Sequence, residues 1–266
     1  MTKFRVFVIA LAAFLTSAWV ANDIPAQQPP PIARVGVLIP YGDSSLKDGF
    51  RDALHQAGYI EGTNMVIDWR VSTGTAEDLR SIAIELVQSK VDLIVSGGSP
   101  ATRAVLQTTT LPVVFISGDP VAAGFAASLA KPGGNCTGVS VLSPELESKR
   151  LEILHQLVPN ARRVGYLRNP ANPLAPRELG EVQAAARTLG LQLQEFNAPS
   201  IRALDTALEA IRVRPPDALL VSAEAFFIAH QTKIAQAARK ARVPSLFPYR
   251  DYLTAGGLAS YGPGTA

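Results

Sequence analysis

Cysteine is nearly absent. The 266 residues hold one, Cys136, so no internal disulfide can form and the fold must rest on its core even in an oxidising compartment. Histidine is scarce as well: His55, His155 and His230 each fall inside a helix-like pattern, far apart and without paired ligand spacing, so no metal site is readable and none is expected. The signatures of common catalytic machinery are missing too. There is no GxSxG elbow and no GxGxxG followed by an acidic residue at ribose distance, and the run GGSPAT at 97–102 lacks the Lys-Ser/Thr ending of a nucleotide phosphate loop. Cys136 has no local base, and a small packing residue is the commoner role of a lone cysteine. These absences leave no nucleophile-base pair and no cofactor motif, and the chain is not expected to be an enzyme.

Acidic residues are absent from the first 21 positions, MTKFRVFVIALAAFLTSAWVA, which carry Lys3 and Arg5, an uncharged apolar run from Val6 and then small residues. That is the layout of a secretory signal peptide. The apolar run is short for a membrane span and ANDIPAQQPPP follows it directly; an uncleaved anchor is the alternative. Residues 1–26 are therefore assigned to the signal peptide and its processing region and 27–33 to a Pro-rich linker, and a periplasmic location is expected. Without the two signal cations, 23 basic residues face 22 acidic ones. A nearly neutral chain lacks the basic footprint of a nucleic-acid binder.

What the sequence has is alternation. RVGVLIP, MVIDWR, VDLIVS and LPVVFIS are short apolar runs, and between them Leu46, Phe50, Ala53, Leu54 and Ala57, then Leu79, Ile82, Ala83, Leu86 and Val87, recur at helical spacing. The pattern restarts near residues 139–143. RVGYLRNP, LQLQEF, DALLVS, VPSLFP and GGLASYG read as strands, stripes such as Leu151, Leu154 and Val158 or Leu204, Leu208 and Ile211 as helices, and a long helix is expected from Phe227 to Ala241. Apolar strands alternating with helices predict parallel sheets covered on both faces. The fold class is α/β, two doubly wound lobes, with an eight-stranded barrel as the minor alternative.

A polar, turn-rich loop follows nearly every apolar strand: Tyr41-Gly42-Asp43-Ser44, GGSPAT at 97–102, Ser117-Gly118-Asp119-Pro120, Asn169-Pro170-Ala171-Asn172 and Ser222-Ala223-Glu224-Ala225-Phe226. In open α/β sheets ligands bind outside the carboxyl ends of the strands. The GGSPAT run also opens a helix, where unpaired N–H groups and the dipole favour an anion.

Several longer runs, in order, give the chain its resemblance: GDPVAAG continuing through SLAKPGGNCTGVS, then SKRLEILHQLVP, RVGYLRNPANP, DALLVSAEAFFIAHQTKIAQAA and FPYRDYLTAGGLASYGP. From Arg34 to Ala266 the chain resembles the periplasmic substrate-binding proteins of ABC importers, a family that includes binders of tryptophan and related amino acids. The resemblance implies two lobes of the type I periplasmic-binding-protein kind, hinge closure on a small ligand, and delivery to a membrane permease and its ATPase by a monomer. It implies boundaries at 34–140 for the first lobe and 141–248 for the second, with 249–266 crossing back to a first lobe left incomplete, because relatives continue past SYGP. Ligand contacts carried over by position are Tyr41, Gly42, Gly98, Ser99, Pro100, Ala101, Asp119 and Pro120 on the first lobe, and Asn169, Asn172, Glu224, Phe226 and Tyr249 on the other. Thr137 lies where the chain first crosses. An enzyme on the same fold and the sensor domain of a regulator are the alternative functions.

Overall fold

The computed structural model describes residues 32–39, 44–141 and 145–262. The expected signal peptide, Tyr41 and Gly42 lie outside the described residues. The chain divides into two compact units, up to Ser140 and from Val141 onward.

In the first unit the strands are β1 (Ala33–Ile39), β2 (Met65–Val71), β3 (Leu93–Gly97), β4 (Val113–Ser117) and β5 (Cys136–Ser140), and the helices are α1 (Ser44–Gln56), α2 (Ala76–Gln88) and α3 (Ser99–Leu106). All strand pairs are parallel, in the order β2-β1-β3-β4-β5. Alternate residues of the apolar strands face opposite layers. Val35, Val37 and Ile39 pack with Phe50 and Leu54 of α1, whereas Leu38, Ile94, Val113 and Phe115 pack with α2 and α3. The sequence pattern anticipates β1 to β4, but β5 has the sequence CTGVS and only Cys136 is buried, so it carries no apolar run to read. Gly138 lets β5 approach closely, since a Cβ there would lie 2.1 Å from the Phe115 carbonyl oxygen.

The second unit repeats the plan with β6 (Arg163–Arg168), β7 (Gln192–Asn197), β8 (Ala218–Val221), β9 (Ser245–Phe247) and β10 (Ala259–Ser260), again all parallel, in the order β10-β9-β8-β6-β7. Helices α4 (Glu145–Leu157) and α5 (Ala175–Thr188) cover one face through Leu151, Leu154, Val182 and Ala186. On the other, α6 (Ile201–Val213), α7 (Ala225–Ala229) and α8 (Gln231–Lys240) bring Leu204, Leu208, Phe227, Ile234 and Ala238 against Leu167, Leu219, Val221 and Phe247. A short α9 (Asp251–Thr254) precedes β10.

Two expectations change. The long helix from Phe227 to Ala241 is broken at His230, whose N–H closes α7 on the Phe227 carbonyl while its own carbonyl starts α8. Phe226 and Phe227 of α7 and Ile234 and Ala235 of α8 are all buried in one core across the break. The segment expected to return to the first lobe from residue 249 belongs, as far as Ser260, to the second sheet, because β10 pairs with β9.

Candidate functional site

In each sheet the chain leaves its first strand for a neighbour on one side and then crosses to the other side. The gap between those two paths is where loops diverge and a crevice opens. In the first unit it lies between β1 and β3, and in the second between β6 and β8. The expected loops are the ones leaving these strands.

The exit of β3 is a sharp turn. Gly98 has φ +87°, a region open to glycine without a Cβ penalty, and its N–H donates to the Ile116 carbonyl at 2.8 Å. Ser99 and Pro100 then begin α3, with Pro100 where no intrahelical N–H partner exists. Thr102 donates both its N–H and its hydroxyl to the Gly98 carbonyl, each at 3.0 Å. The Ser99 hydroxyl is buried beside that of Ser117 at 2.9 Å and accepts the Gly118 N–H at 3.4 Å, while the Ser140 hydroxyl donates to the Gly118 carbonyl at 3.0 Å. Hydroxyls therefore tie the exits of β3, β4 and β5. Asp119 is buried, and its Oδ1 accepts the N–H groups of Val121 and Ala122 at 3.1 and 3.0 Å. Pro120 is buried beside it and Ala101 inside the core. Thr137 is half-buried within β5, paired with Val114 and short of the strand exit.

In the second unit the loops after β6 and β8 are bonded across the gap. Ser222 N–H donates to the Leu167 carbonyl at 3.0 Å, and Asn172 Nδ2 donates to Glu224 Oε2. Asn172 Oδ1 accepts the Leu174 N–H at 2.9 Å, Asn169 Oδ1 accepts the Ala171 N–H at 3.0 Å, and Glu224 Oε1 accepts the Phe226 N–H at 3.4 Å. Asn169, Asn172 and Glu224 are 3%, 6% and 2% exposed. Burial pushes the Glu224 carboxyl up to about 6, against the hydrogen bonds from Asn172, the Phe226 N–H and Asn169. Phe226 itself points into the core, edge-on to His230 at 4.7 Å. Tyr249 is half-buried against the same core.

A buried set of charges near these loops is absent from the sequence expectation. Glu147 and Arg150 of α4 pair with each other and are fully buried. Arg168, at the end of β6, donates to Glu195 at 3.0 Å and to Asn197 at 3.3 Å. Glu178 of α5 is 3% exposed. Burial holds its carboxyl well above the usual range, the charges of Glu147 and Glu224 add to the shift, and Arg150 and Arg168 oppose it. The signal is periodicity: Glu147 and Arg150 fall in phase with the buried Leu151 and Leu154, and Glu178 with Val182. Charged residues on a helix's apolar stripe mark a buried polar site rather than a solvated face.

A 510 Å³ groove between α4 and α5, lined by Ser148, His155, Glu181 and Thr188 among others, contains none of the candidate residues. Among the described residues no cluster of three or more metal-ligating side chains occurs, and no helix is long and apolar enough to cross a membrane.

Comparison with known proteins gives one family. The profile described as "ABC transporter substrate binding protein" matches residues 35–265. A tyrosine-binding protein of Clostridioides difficile is 27% identical over 219 residues, 81% of this chain and 62% of the relative, so the chain spans less than two thirds of that relative's length. A conserved domain protein from Vibrio cholerae superposes with a TM-score of 0.78 at 27% identity, covering 88% of this chain and 79% of the other. The ABC domain of Streptococcus pneumoniae solved in complex with L-Trp gives 0.74 at 27% identity, covering 86% and 78%. A leucine-binding protein from Thermotoga maritima, 15% identical with a TM-score of 0.60, shares the fold, which is that of the type I periplasmic binding proteins. The family is one of substrate-binding proteins rather than enzymes.

Proposed function

The chain belongs to the ABC transporter substrate-binding protein family, and we propose that it captures a small solute, an amino acid in the leading version, at its strand-exit loops. It works outside the cytoplasm after export by its N-terminal signal, as a monomer, and delivers the solute to a permease driven by an ATPase. The observation that carries this reading is the Asn172–Glu224 hydrogen bond across the gap between β6 and β8, the position at which open α/β sheets bind ligands.

The loops divide the work. The first turn of α3 offers the N–H groups of Ser99 and Ala101 and a helix dipole to a carboxylate, with Pro100 fixing the backbone between them. Tyr41 and Gly42 are kept as contacts on the family resemblance alone, and Asp119 and Pro120 follow β4. On the second unit the three groups that hydrogen-bond Glu224 are neutral, and a ligand ammonium is the complement that would keep its carboxylate ionised. Asn169 and Asn172 add amide contacts, Tyr249 supplies an aromatic edge, and Phe226 supports the loop from below. Thr137 acts only through the first sheet.

Titration calorimetry of the processed chain against L-tryptophan, L-tyrosine, aliphatic amino acids and benzoate tests the reading. Saturable binding by at least one amino acid is expected, weakened ~10-fold or more by Asn172→Ala, which strips a donor from a buried carboxylate. A cooperatively folded protein that binds nothing in the panel would overturn the amino-acid version.

A further inference from the structure

The Glu147–Arg150 pair sits where stability alone does not explain it. No other ion pair between described residues is fully buried on both sides, and a buried pair is often no more stabilising than apolar residues of the same volume. What distinguishes this one is where its remaining hydrogen bonds go. Glu147 Oε1 accepts the N–H of Ala223 at 3.0 Å, the residue immediately before Glu224. Arg150 Nη1 reaches the carbonyl of Tyr261 at 3.5 Å, one residue past β10. Helix α4 packs against β8 and β9, so one helical turn joins the exits of β8 and β10 on either side of β9.

We propose that Glu147 and Arg150 are positioning residues for the candidate binding loop: they fix the backbone at Ala223 so that Glu224 stands opposite Asn172 before any solute arrives. The inference rests on the binding role proposed above for Glu224, but its first readout needs no ligand. The backbone N–H of Ala223 is anchored by a carboxylate whose geometry is set by Arg150, and the carboxylate of Glu224 is anchored by Asn172 and the Phe226 N–H. Loosening the first anchor leaves the loop held by the second and by the Ser222 N–H on the Leu167 carbonyl. A preorganised loop spares the solute the ordering cost on binding.

Two neutral double variants separate positioning from packing. E147L/R150M replaces the pair with apolar side chains and removes the acceptor; E147Q/R150M is also neutral but keeps an oxygen for the Ala223 N–H. Amide hydrogen exchange resolved at residues 222–226 is measured in both, with urea unfolding of the same samples. The expected result is exchange at Ala223 and Glu224 ~10-fold faster in E147L/R150M than in E147Q/R150M, with urea midpoints alike. Equal exchange in the two variants would overturn the proposal, and so would differences that merely follow the urea midpoints. L-tryptophan and L-tyrosine titrations of wild type and both variants then separate the two claims. Faster exchange without wild-type binding of either probe keeps the positioning role and sinks that choice of solute. Wild-type binding that E147L/R150M weakens no more than E147Q/R150M does sinks the positioning role and keeps the solute.

Discussion

The two units share one topology and differ in what they place at its open edge. In the first, the strand exits are joined by hydroxyls and backbone groups: Ser99 with Ser117, Gly118 between Ser99 and Ser140, and Thr102 folded back on Gly98. In the second they are joined by an acid, two amides and a buried ion pair. Neutral hydrogen bonds add ~1 kcal/mol each and are cheap to bury, whereas buried charges cost several kcal/mol of desolvation that their partners must offset. The fold therefore sets where the edges lie, and the loops set how much each edge stakes on being fully bonded. The second unit is the one whose stability and pH response should follow its polar edge.

The largest effect expected from that difference is at the ion pair. Arg150→Ala leaves Glu147 buried without its cation and should destabilise the second unit by ~3–5 kcal/mol, read from urea unfolding followed by hydrogen exchange in each unit; a loss below ~1 kcal/mol would put the two edges on the same footing.

Next comes pH. The Glu224 carboxyl titrates at about 6 in the folded chain against 4.5 for the ordinary group, so the folded state takes up its proton first. Its stability contribution is complete below pH ~4.5 and is lost as pH rises through about 6, for a total of ~2 kcal/mol. Burial raises Glu147 and Glu178 in the same direction. Wild type should therefore lose stability between pH 4.5 and 6, and the difference between wild type and Glu224→Gln should isolate the Glu224 share. A flat difference curve across that window would contradict the burial account of Glu224.

The smallest effect is expected in the first unit. Ser99→Ala removes one hydroxyl from a set that retains Ser117 and the Gly118 backbone, and should cost ~1 kcal/mol in chemical denaturation with no added pH dependence. A loss as large as that of Arg150→Ala would erase the distinction between the edges.

Much of this was legible in the residues. Continuous runs such as VDLIVS and DALLVS announce parallel strands buried on both sides, and the loops after them announce the edge. Asn172 and Glu224, read from the loops after two apolar strands, hydrogen-bond across the gap in the second sheet. Other features were not readable. β5 is held by its pairing with β4 and not by apolar character, so CTGVS shows no strand period. The break at His230 interrupts a helical pattern that is continuous in sequence, so the residue spacing does not announce it. Thr137 lies inside β5, the strand after which the chain passes to the second unit. Glu147 and Arg150 are hard to read because charged residues at helical spacing pass for a solvent face until their phase with Leu151 and Leu154 is taken into account.

The central claim is that a small solute binds at the strand-exit loops around the Asn172–Glu224 bond. Its most direct test is amide hydrogen exchange with and without a saturating amino acid identified by calorimetry. The account predicts added protection at residues 169–172 and 222–226, with the amino ends of β6 and β8 unchanged. Protection centred on the groove between α4 and α5, with none at those loops, would contradict it.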